Sequence, residues 1–270
     1  MERNWKAGFI GCGNMGGVLA AVAAKSVGGD RVLAADHHAD KLASLRKEHG
    51  AVPSTSSEIA QVCRFIFLGV KPQVLERAAE EIREILAKRE PGSYAVVSMA
   101  AGVTAARVSS LLGGCPVIRI MPNTPAAVGE GVILYSAGAD VSPGDEADFR
   151  TLMAPAGLVL PLEEGKIDAG SAVTGCGPAF AYLFAEGLID GGVRCGLPRE
   201  KAKLFALQTL AGAAKLALET GRDPALLRGD VCSPAGSTIE GVAALEDRGV
   251  RAAAIEAVTA AFRRTAELGK

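Results

Sequence analysis

The sequence predicts an α/β domain over residues 1–163, followed by an all-α domain over residues 164–270. In the first part, short apolar segments alternate with helical patterns, which is typical of a parallel sheet covered by helices on both faces. In the second part the strand pattern disappears, and alanine- and leucine-rich helical segments replace it. A glycine-rich motif directly after the first apolar segment indicates that the sheet binds a dinucleotide.

Strands are predicted at the β-type apolar runs, namely Ala7–Gly11, Arg31–Ala35, Arg64–Val70, Tyr94–Met99, Val117–Met121, Val132–Ser136 and Leu158–Leu162. Between two of these runs, residues 74–86 carry apolar side chains at i, i+4 and i+8 with charges in between, which predicts an amphipathic helix. Because strands and helices alternate strictly, we expect parallel strands joined by right-handed crossovers.

Helices of the second part are predicted at Gly177–Val193, Pro198–Thr220, Thr238–Asp247 and Val250–Leu268. Pro198 suits the first turn of its helix, and Gly221 suits the end of the same helix. Since these segments contain much alanine and few aromatic side chains, we expect them to pack closely on other helices, including those of a second subunit.

The composition describes a globular protein and excludes several classes of partner. The chain has 29 basic and 30 acidic residues, a net charge of −1 and 49% apolar residues. This balance lacks the basic surface expected of proteins that bind nucleic acid or anionic membranes. No apolar run approaches the ~20 residues that a membrane-spanning helix needs. We therefore expect neither a nucleic-acid partner nor a membrane.

The cysteines indicate a reducing, cytoplasmic location. All six are isolated, none forms a C-x-x-C pair, and the three histidines do not complete a zinc pattern. The expectation is six reduced thiols and no metal site. They are Cys12, Cys63, Cys115, Cys176, Cys195 and Cys232.

The glycine-rich motif has the pattern G-x-G-x-x-G, with a strand before it and an amphipathic helix after it. Its first glycine permits a tight turn, its second lets the backbone approach a pyrophosphate, and its third allows close packing of helix and strand. The helix N-terminus adds free amides and a positive dipole. A turn that needs its glycines only for geometry is the alternative. The motif consists of Gly11, Cys12, Gly13, Asn14, Met15 and Gly16.

Asp36 follows the second predicted strand, where an acidic side chain contacts the adenosine ribose in dinucleotide-binding folds. A carboxylate there repels a 2′-phosphate and favours NADH, whereas protonated His37 or His38 could receive that phosphate. Alternatively, Asp36 caps the helix that begins near Ala39. The cofactor is thus NADPH or NADH.

Three further strand ends provide cofactor candidates, because the carboxyl ends of parallel strands line the ligand crevice. Lys71 is a candidate phosphate contact or general acid, or a solvated turn lysine. Asn123 lies in a proline-rich loop suited to orienting a carboxamide or substrate, or forms a purely structural turn. The small residues after the Tyr94–Met99 strand let a nicotinamide lie close to the backbone. The candidates are Val70, Lys71, Pro72, Ala100, Ala101 and Asn123.

Two loops of the second part are candidate substrate sites. One opens the first long helix and contains Cys176 and Gly177. The other ends at a helix start, where the hydroxyls of Ser233, Ser237 and Thr238 join unpaired first-turn amides in a receptor suited to a carboxylate. Simple helix capping by the last two hydroxyls is the alternative.

The motifs together resemble those of pyrroline-5-carboxylate reductases, which produce L-proline by reducing a cyclic imine. The matching segments are GFIGCGNMGG, GVKPQ, SMAAGVT, RIMPNTPAAVGEG, TGCGPAFAY, DGGVRCGLPR and DVCSPAGSTIEGVAALE, in that order. The resemblance implies a Rossmann domain, a helical dimerisation domain, and dimers or larger assemblies built from dimers. It also implies that the nicotinamide and the helical domain enclose the active site.

Residue roles follow from the resemblance by position. It implies that the Thr238 hydroxyl hydrogen-bonds the ring nitrogen of the substrate, and that Ser233, Gly236 and Ser237 hold its carboxylate. Thr238 and Ser233 are the catalytic candidates. The implied cofactor contacts are Gly11–Gly16, Val70, Lys71, Ala100 and Ala101. The chain departs from the family pattern at Asp36, unusual where NADPH is preferred, at Cys176, often serine, and at Ala235, usually glycine.

Two other functions are compatible with the general plan. β-Hydroxyacid dehydrogenases share it but have a lysine shortly after a glycine motif at the start of the helical domain, and residues 175–181 contain no lysine. A non-catalytic NAD(P)-binding scaffold would not need the intact loop at residues 233–238. Reduction of an imine needs a hydride donor and a proton at nitrogen, and no metal.

Overall fold

A computed structural model describes residues 6–268 and divides them into two compact units. The sheet unit runs to Cys176 and resumes at Ala261, and the helical unit is Gly177–Ala260. The domain boundary after residue 163 stays a prediction. In the structure the compact sheet unit also includes the helix at Glu164–Thr174.

The sheet unit contains an eight-stranded sheet in the order β3-β2-β1-β4-β5-β6-β7-β8. Strands β1 to β6 are parallel, and the order reverses between β1 and β4. In such sheets the ligand crevice lies at the carboxyl ends of the strands where the order reverses. The strands are β1 Lys6–Ile10, β2 Val32–Ala35, β3 Val52–Pro53, β4 Cys63–Leu68, β5 Ala95–Ser98, β6 Val117–Met121, β7 Gly131–Ala137 and β8 Gly157–Pro161.

Two details of the sheet differ from the prediction. Strand β7 runs antiparallel to β6, because the connection from Met121 to Gly131 holds only a 3-10 turn at Thr124–Val128. A parallel return needs a crossover of about a dozen residues or more. The prediction also missed β3, whose two residues carry too little pattern to stand out. Each predicted strand is otherwise present: β6 has the predicted bounds, and the others are shifted at one or both ends.

Helices cover both faces of the sheet and bury its apolar side chains. On one face, α1 and α6 pack through Leu19 and Phe149. On the other face, α4 and α5 pack through Ile82 and Val108, and α7 packs through Ile167. The helices of this unit are α1 Asn14–Val27, α2 Ala39–His49, α3 Ser56–Val62, α4 Pro72–Leu86, α5 Ala105–Leu111, α6 Pro143–Met153 and α7 Glu164–Thr174.

The remaining helices are those that the sequence predicted, with one addition. The addition is α10, a short helix that begins with the N-cap Asp223 and Pro224. Gly221 adopts a left-handed conformation at the end of α9, and Pro198 is the N-cap of that helix, one position before its predicted place. The helices are α8 Gly177–Arg194, α9 Arg199–Thr220, α10 Pro224–Asp230, α11 Ser237–Asp247 and α12 Val250–Leu268.

The helical unit leaves many large apolar side chains exposed. Leu183, Leu204, Leu218 and Ile255 are each more than 60% exposed in the single chain. Among the described residues, one helical stretch, Glu164–Arg194, is long and apolar enough to cross a membrane by length and composition, and 11% of its most apolar window is buried. In the structure this stretch consists of two helices, α7 at Glu164–Thr174 and α8 at Gly177–Arg194, with a short turn between them.

Candidate functional site

The glycine motif forms the tightest backbone contact at the carboxyl edge of the sheet. Gly11 has φ +90°, which favours glycine, and a Cβ on Gly16 would stand 2.0 Å from the Gly11 carbonyl oxygen. Gly69, directly after β4, approaches the same oxygen, since its Cβ would stand 2.2 Å away. By contrast, Gly13 has open space at its Cα, so a pyrophosphate can approach its backbone.

A cavity of about 260 Å³ opens beside this contact. Gly11, Asp36 and Val70 line it, so three predicted cofactor positions share one space. Four further residues that line it are not among the predicted cofactor contacts. Ser54, Thr55 and Ser56 follow the undetected strand β3, and Arg77 lies on α4. The sequence did not mark any of these four residues, because their place at the cavity depends on how β3 and α4 pack.

Asp36 is held by backbone amides on both of its carboxylate oxygens. The Cys12 amide donates to Oδ2 at 2.7 Å, and the His38 amide donates to Oδ1 at 2.8 Å. Burial opposes ionisation of Asp36, but hydrogen bonds from the His38 amide and ring and the Cys12 amide, with Lys41 nearby, lower its pKa overall. The carboxylate is therefore charged and fixed at the cavity wall. It does not cap α2, whose N-cap is His38.

Cys12 contributes its amide to this site, while its thiol is buried beneath it. Burial, followed by the nearby Asp36 carboxylate, raises the pKa of the Cys12 thiol to about 12. The thiol is 3.7 Å from the carbonyl oxygen of Ala35. Because a thiol of this pKa stays protonated near neutral pH, Cys12 is no nucleophile. Asn14 and Met15 begin α1, directly after the N-cap Gly13.

The other predicted cofactor positions all lie at the same edge of the sheet. Lys71 is exposed and is the N-cap of α4, and Pro72 is the first residue of that helix. Ala100 is buried after β5, and Ala101 packs on the cluster that contains Ile167.

Asn123 is buried, and its amide group is engaged on both sides. Its Nδ2 donates to the Thr174 carbonyl oxygen at 2.9 Å, and its Oδ1 accepts from the Val132 amide at 2.8 Å. Of the two interpretations that the sequence left open, this geometry favours the structural one.

The candidate substrate loop of the helical unit ends at the start of α11. The N-cap of this helix is Gly236, with no side-chain cap bond, and Ser237 and Thr238 are its first two residues. The alternative interpretation, in which Ser237 or Thr238 only caps the helix, therefore does not hold. In the single chain both residues are exposed. A Cβ on Gly236 would stand 2.3 Å from the Ser233 Oγ, so glycine lets the serine fold back against the turn.

Ala235, in the same loop, has a strained backbone. It is the one non-glycine residue in the described part of the chain with a positive φ, +56°. The left-handed region costs an L-residue about 1–2 kcal/mol. The structure thus explains why glycine would suit this position.

The other candidate substrate loop follows α7. Cys176 is partly buried in the turn between α7 and α8, and Gly177 is the first residue of α8. Within residues 6–268, no group of three or more His, Cys, Asp or Glu side chains is placed to hold a metal ion.

The strand order, the glycine contact and the fixed carboxylate define a Rossmann-type dinucleotide-binding protein that carries a separate helical unit. Family models match both parts. Residues 6–102 match "NADP oxidoreductase coenzyme F420-dependent", and residues 164–268 match "Pyrroline-5-carboxylate reductase dimerisation".

Relatives match the whole chain. Pyrroline-5-carboxylate reductase 3 of Danio rerio is 40% identical over 98% of this chain and 91% of its own, and the Escherichia coli reductase is 39% identical over 98% of both. The solved pyrroline-5-carboxylate reductase of Coxiella burnetii superimposes with a TM-score of 0.89, at 32% identity over 99% of this chain and all of its own. The Plasmodium falciparum enzyme, solved with NADP bound, has a TM-score of 0.88 at 29% identity, over the full length of both chains. The chain belongs to the pyrroline-5-carboxylate reductase family.

Replacing Ala235 by glycine tests the strain in the loop. We expect Ala235→Gly to raise the free energy of unfolding by about 0.5–1 kcal/mol, because relief of the left-handed strain outweighs the extra entropy of an unfolded glycine. The measurement is urea denaturation. Ala147→Gly, at an exposed position of α6, is the control and should lower stability by about 1 kcal/mol. An equal decrease in the free energy of unfolding of both variants would show that Ala235 is not strained.

Proposed function

We propose that this chain reduces Δ1-pyrroline-5-carboxylate to L-proline with hydride from NADPH or NADH. Family membership over the full length is the observation that carries the proposal. The glycine contact and the open Gly13 support a bound dinucleotide. The loop of small and hydroxylic residues at the start of α11 supports a carboxylate substrate.

The reaction requires few groups of the protein. The nicotinamide cofactor supplies the hydride when bound, and a protonated cyclic imine already accepts it readily. The residues of this chain bind and orient the two reactants. We assign the carboxylate to Ser233, Gly236, Ser237 and the first-turn amides of α11, with Cys176 and Gly177 as further substrate contacts. The Thr238 hydroxyl exchanges a hydrogen bond with the imine nitrogen as its charge changes.

The cofactor assignment places the pyrophosphate at Gly11–Gly16 and the adenosine ribose at Asp36. Both carboxylate oxygens of Asp36 already accept hydrogen bonds from backbone amides. Each oxygen can still accept a further hydrogen bond from a ribose hydroxyl. A fixed negative charge repels a 2′-phosphate, which favours NADH. Val70, Lys71, Pro72, Ala100 and Ala101 complete the proposed cofactor contacts.

We also propose a homodimer, or a larger assembly of dimers, that works in the cytoplasm without nucleic acid or membrane. The matching family model is named for dimerisation. The exposed leucines of α8 and α9 are the side chains that such an interface would cover. Burial between subunits also accounts for the apolar stretch Glu164–Arg194. The buried thiols Cys12, Cys63 and Cys115 fit a reducing compartment.

The activity is tested by following the absorbance of the reduced cofactor. We expect rapid oxidation of NADPH or NADH in the presence of the imine, and negligible oxidation without it. Controls with β-hydroxyacids and oxidised cofactor test the dehydrogenase alternative. A protein that binds cofactor but oxidises it no faster with the imine would contradict the proposal and favour a non-catalytic scaffold.

Cofactor preference tests Asp36. We expect NADH to compete well with NADPH in the unmodified protein. Asp36→Asn should then shift the ratio of kcat/KM values toward NADPH by about tenfold, because it removes a charge close to the 2′-phosphate. Asp40→Asn, also near the start of α2, removes an exposed charge outside the cavity and should leave the ratio unchanged. A strong preference for NADPH before mutation would overturn the role of Asp36.

Removal of one hydroxyl tests Thr238. We expect Thr238→Ala to lower kcat by about tenfold to a hundredfold, as for the loss of one orienting contact of about 1–3 kcal/mol. The Kd of the cofactor should stay constant, because the glycine motif lies in the sheet unit. Thr238→Ser preserves the hydroxyl and should keep most of the activity. Full activity in Thr238→Ala, or an equal loss in Thr238→Ser, would refute the assignment.

A further inference from the structure

Helix α7 connects the sheet to the first candidate substrate loop, and buried polar side chains hold both of its ends. Arg119, in the middle of β6, reaches the first turns of α7, and Asn123, just after β6, reaches its last residue. Both side chains lie at most 8% exposed. The backbone of β6 pairs with β5 and β7, and these two side-chain hydrogen bonds join the sheet to α7.

Arg119 forms a buried ion pair with α7. Its Nη2 donates to Asp168 Oδ1 at 2.5 Å, and its Nη1 lies 3.9 Å from Glu164 Oε1. Its Nε is buried without a hydrogen-bond partner among the described residues. Its register neighbours on β5 and β7 are Ser98 and Ser136, whose short side chains leave space for the guanidinium. Burying the charge of Arg119 costs desolvation free energy, and the carboxylates of α7 offset part of that cost.

Glu164 extends this attachment to α5. Its Oε1 also accepts a hydrogen bond of 2.6 Å from the amide of Ala105, the first residue of α5. That helix follows the segment with Ala100 and Ala101, the proposed nicotinamide contacts. Ala101 in turn packs on the cluster that includes Ile167 of α7. The first turns of α7 are therefore tied to the cofactor edge of the sheet.

Asn123 holds the other end of α7. Its Nδ2 donates to the carbonyl oxygen of Thr174, one of the last four carbonyls that a helix leaves without an internal partner. Gly175 and Cys176 follow at once, and their amides donate to the Ser171 carbonyl oxygen at 2.8 and 3.2 Å. The hydrogen bond from Asn123 thus fixes the point from which the candidate substrate loop begins.

Close packing prevents α7 from sliding between these attachments. A Cβ on Gly170 would stand 2.4 Å from Leu134 Cδ1 of β7, so the helix lies directly on the sheet. Ile167 is fully buried in one cluster with Leu134 and Met121. The helix extends about 16 Å, and a shift at one end is transmitted to the other.

We propose that Asn123 and Arg119 are positioning residues for the reaction. By holding the two ends of α7, they keep Gly175 and Cys176 in register with the carboxyl edge of the sheet, the edge that carries Ala100 and Ala101. Neither residue touches the reacting atoms. The inference rests on the proposed function and adds to it the means by which the loop after α7 is set against the cofactor edge.

Asn123→Asp removes the hydrogen bond to α7 but keeps the hydrogen bond from Val132 that holds the turn after β6. The introduced carboxylate still accepts from the Val132 amide but has no hydrogen to donate to Thr174. At about pH 8 we expect kcat to fall at least tenfold, since small displacements of a reactant reduce turnover strongly, while the Kd of NADPH or NADH changes less than twofold. As the pH falls, the buried carboxyl takes up a proton and can donate again. The activity relative to the unmodified protein should then recover.

Arg119→Lys provides a second variant should Asn123→Asp not fold. Lysine keeps the positive charge but loses the planar fork that reaches Asp168 and Glu164. We expect kcat to fall threefold to tenfold, by the same loss of alignment, with unchanged cofactor binding. The control is Asp145→Asn, which removes the ion pair between buried Asp145 and partly exposed Arg64 at the amino end of β4, where Asp148 remains the second partner of Arg64. It should lower Tm without lowering the kcat of the folded protein.

The outcomes distinguish the two proposals. If the unmodified protein does not oxidise cofactor with the imine, the proposed function fails, and the positioning role fails with it. If it is active but Asn123→Asp and Arg119→Lys lose activity only in proportion to the folded fraction, as Asp145→Asn does, the positioning role alone is overturned. A fall in kcat in the folded variants, with pH-dependent recovery in Asn123→Asp, supports it.

Discussion

The close approach of Gly11, Gly16 and Gly69 is the constraint on which the rest of the site depends. These residues belong to the end of β1, the first turn of α1 and the end of β4, and the Gly11 carbonyl oxygen lies where a Cβ on either partner would be. Because no side chain separates them, α1 starts immediately at the sheet and points its free amides along the carboxyl edge. The same contact lies where the strand order reverses, and there a crevice opens beside it.

Two buried or half-buried charges, those of Asp36 and Arg119, have different roles in the sheet unit. Asp36 takes the amides of Cys12 and His38, so it both stiffens the glycine motif and presents a negative charge to the cavity. Arg119 and its two carboxylates lie further along the sheet, where they join β6 to α7. A buried ion pair contributes little net stability, but it defines one arrangement of the elements that it joins.

The helical unit differs from the sheet unit in how it buries its apolar side chains. Its α8 and α9 expose large leucines that a single chain cannot bury, which is expected of a fold completed by association. Its loop before α11 keeps Ser237 and Thr238 away from capping, because Gly236 takes the N-cap position. The strained Ala235 holds that loop in a conformation that glycine would adopt more readily.

The sequence by itself determined the α/β class, nearly all strands and long helices, and the family, because these depend on local periodicity and on motifs contiguous in the chain. It did not reveal β3, the reversed direction of β7, the role of Gly69 in the glycine contact, or the contacts of Asn123. Each of these depends on partners distant in sequence, such as Gly11 for Gly69 and Thr174 for Asn123. Only the tertiary structure decided that Asp36 does not cap α2 and instead accepts the Cys12 amide of the glycine motif, because the sequence shows only that a carboxylate follows the strand. The choice depends on which amides the folded chain brings within hydrogen-bonding distance.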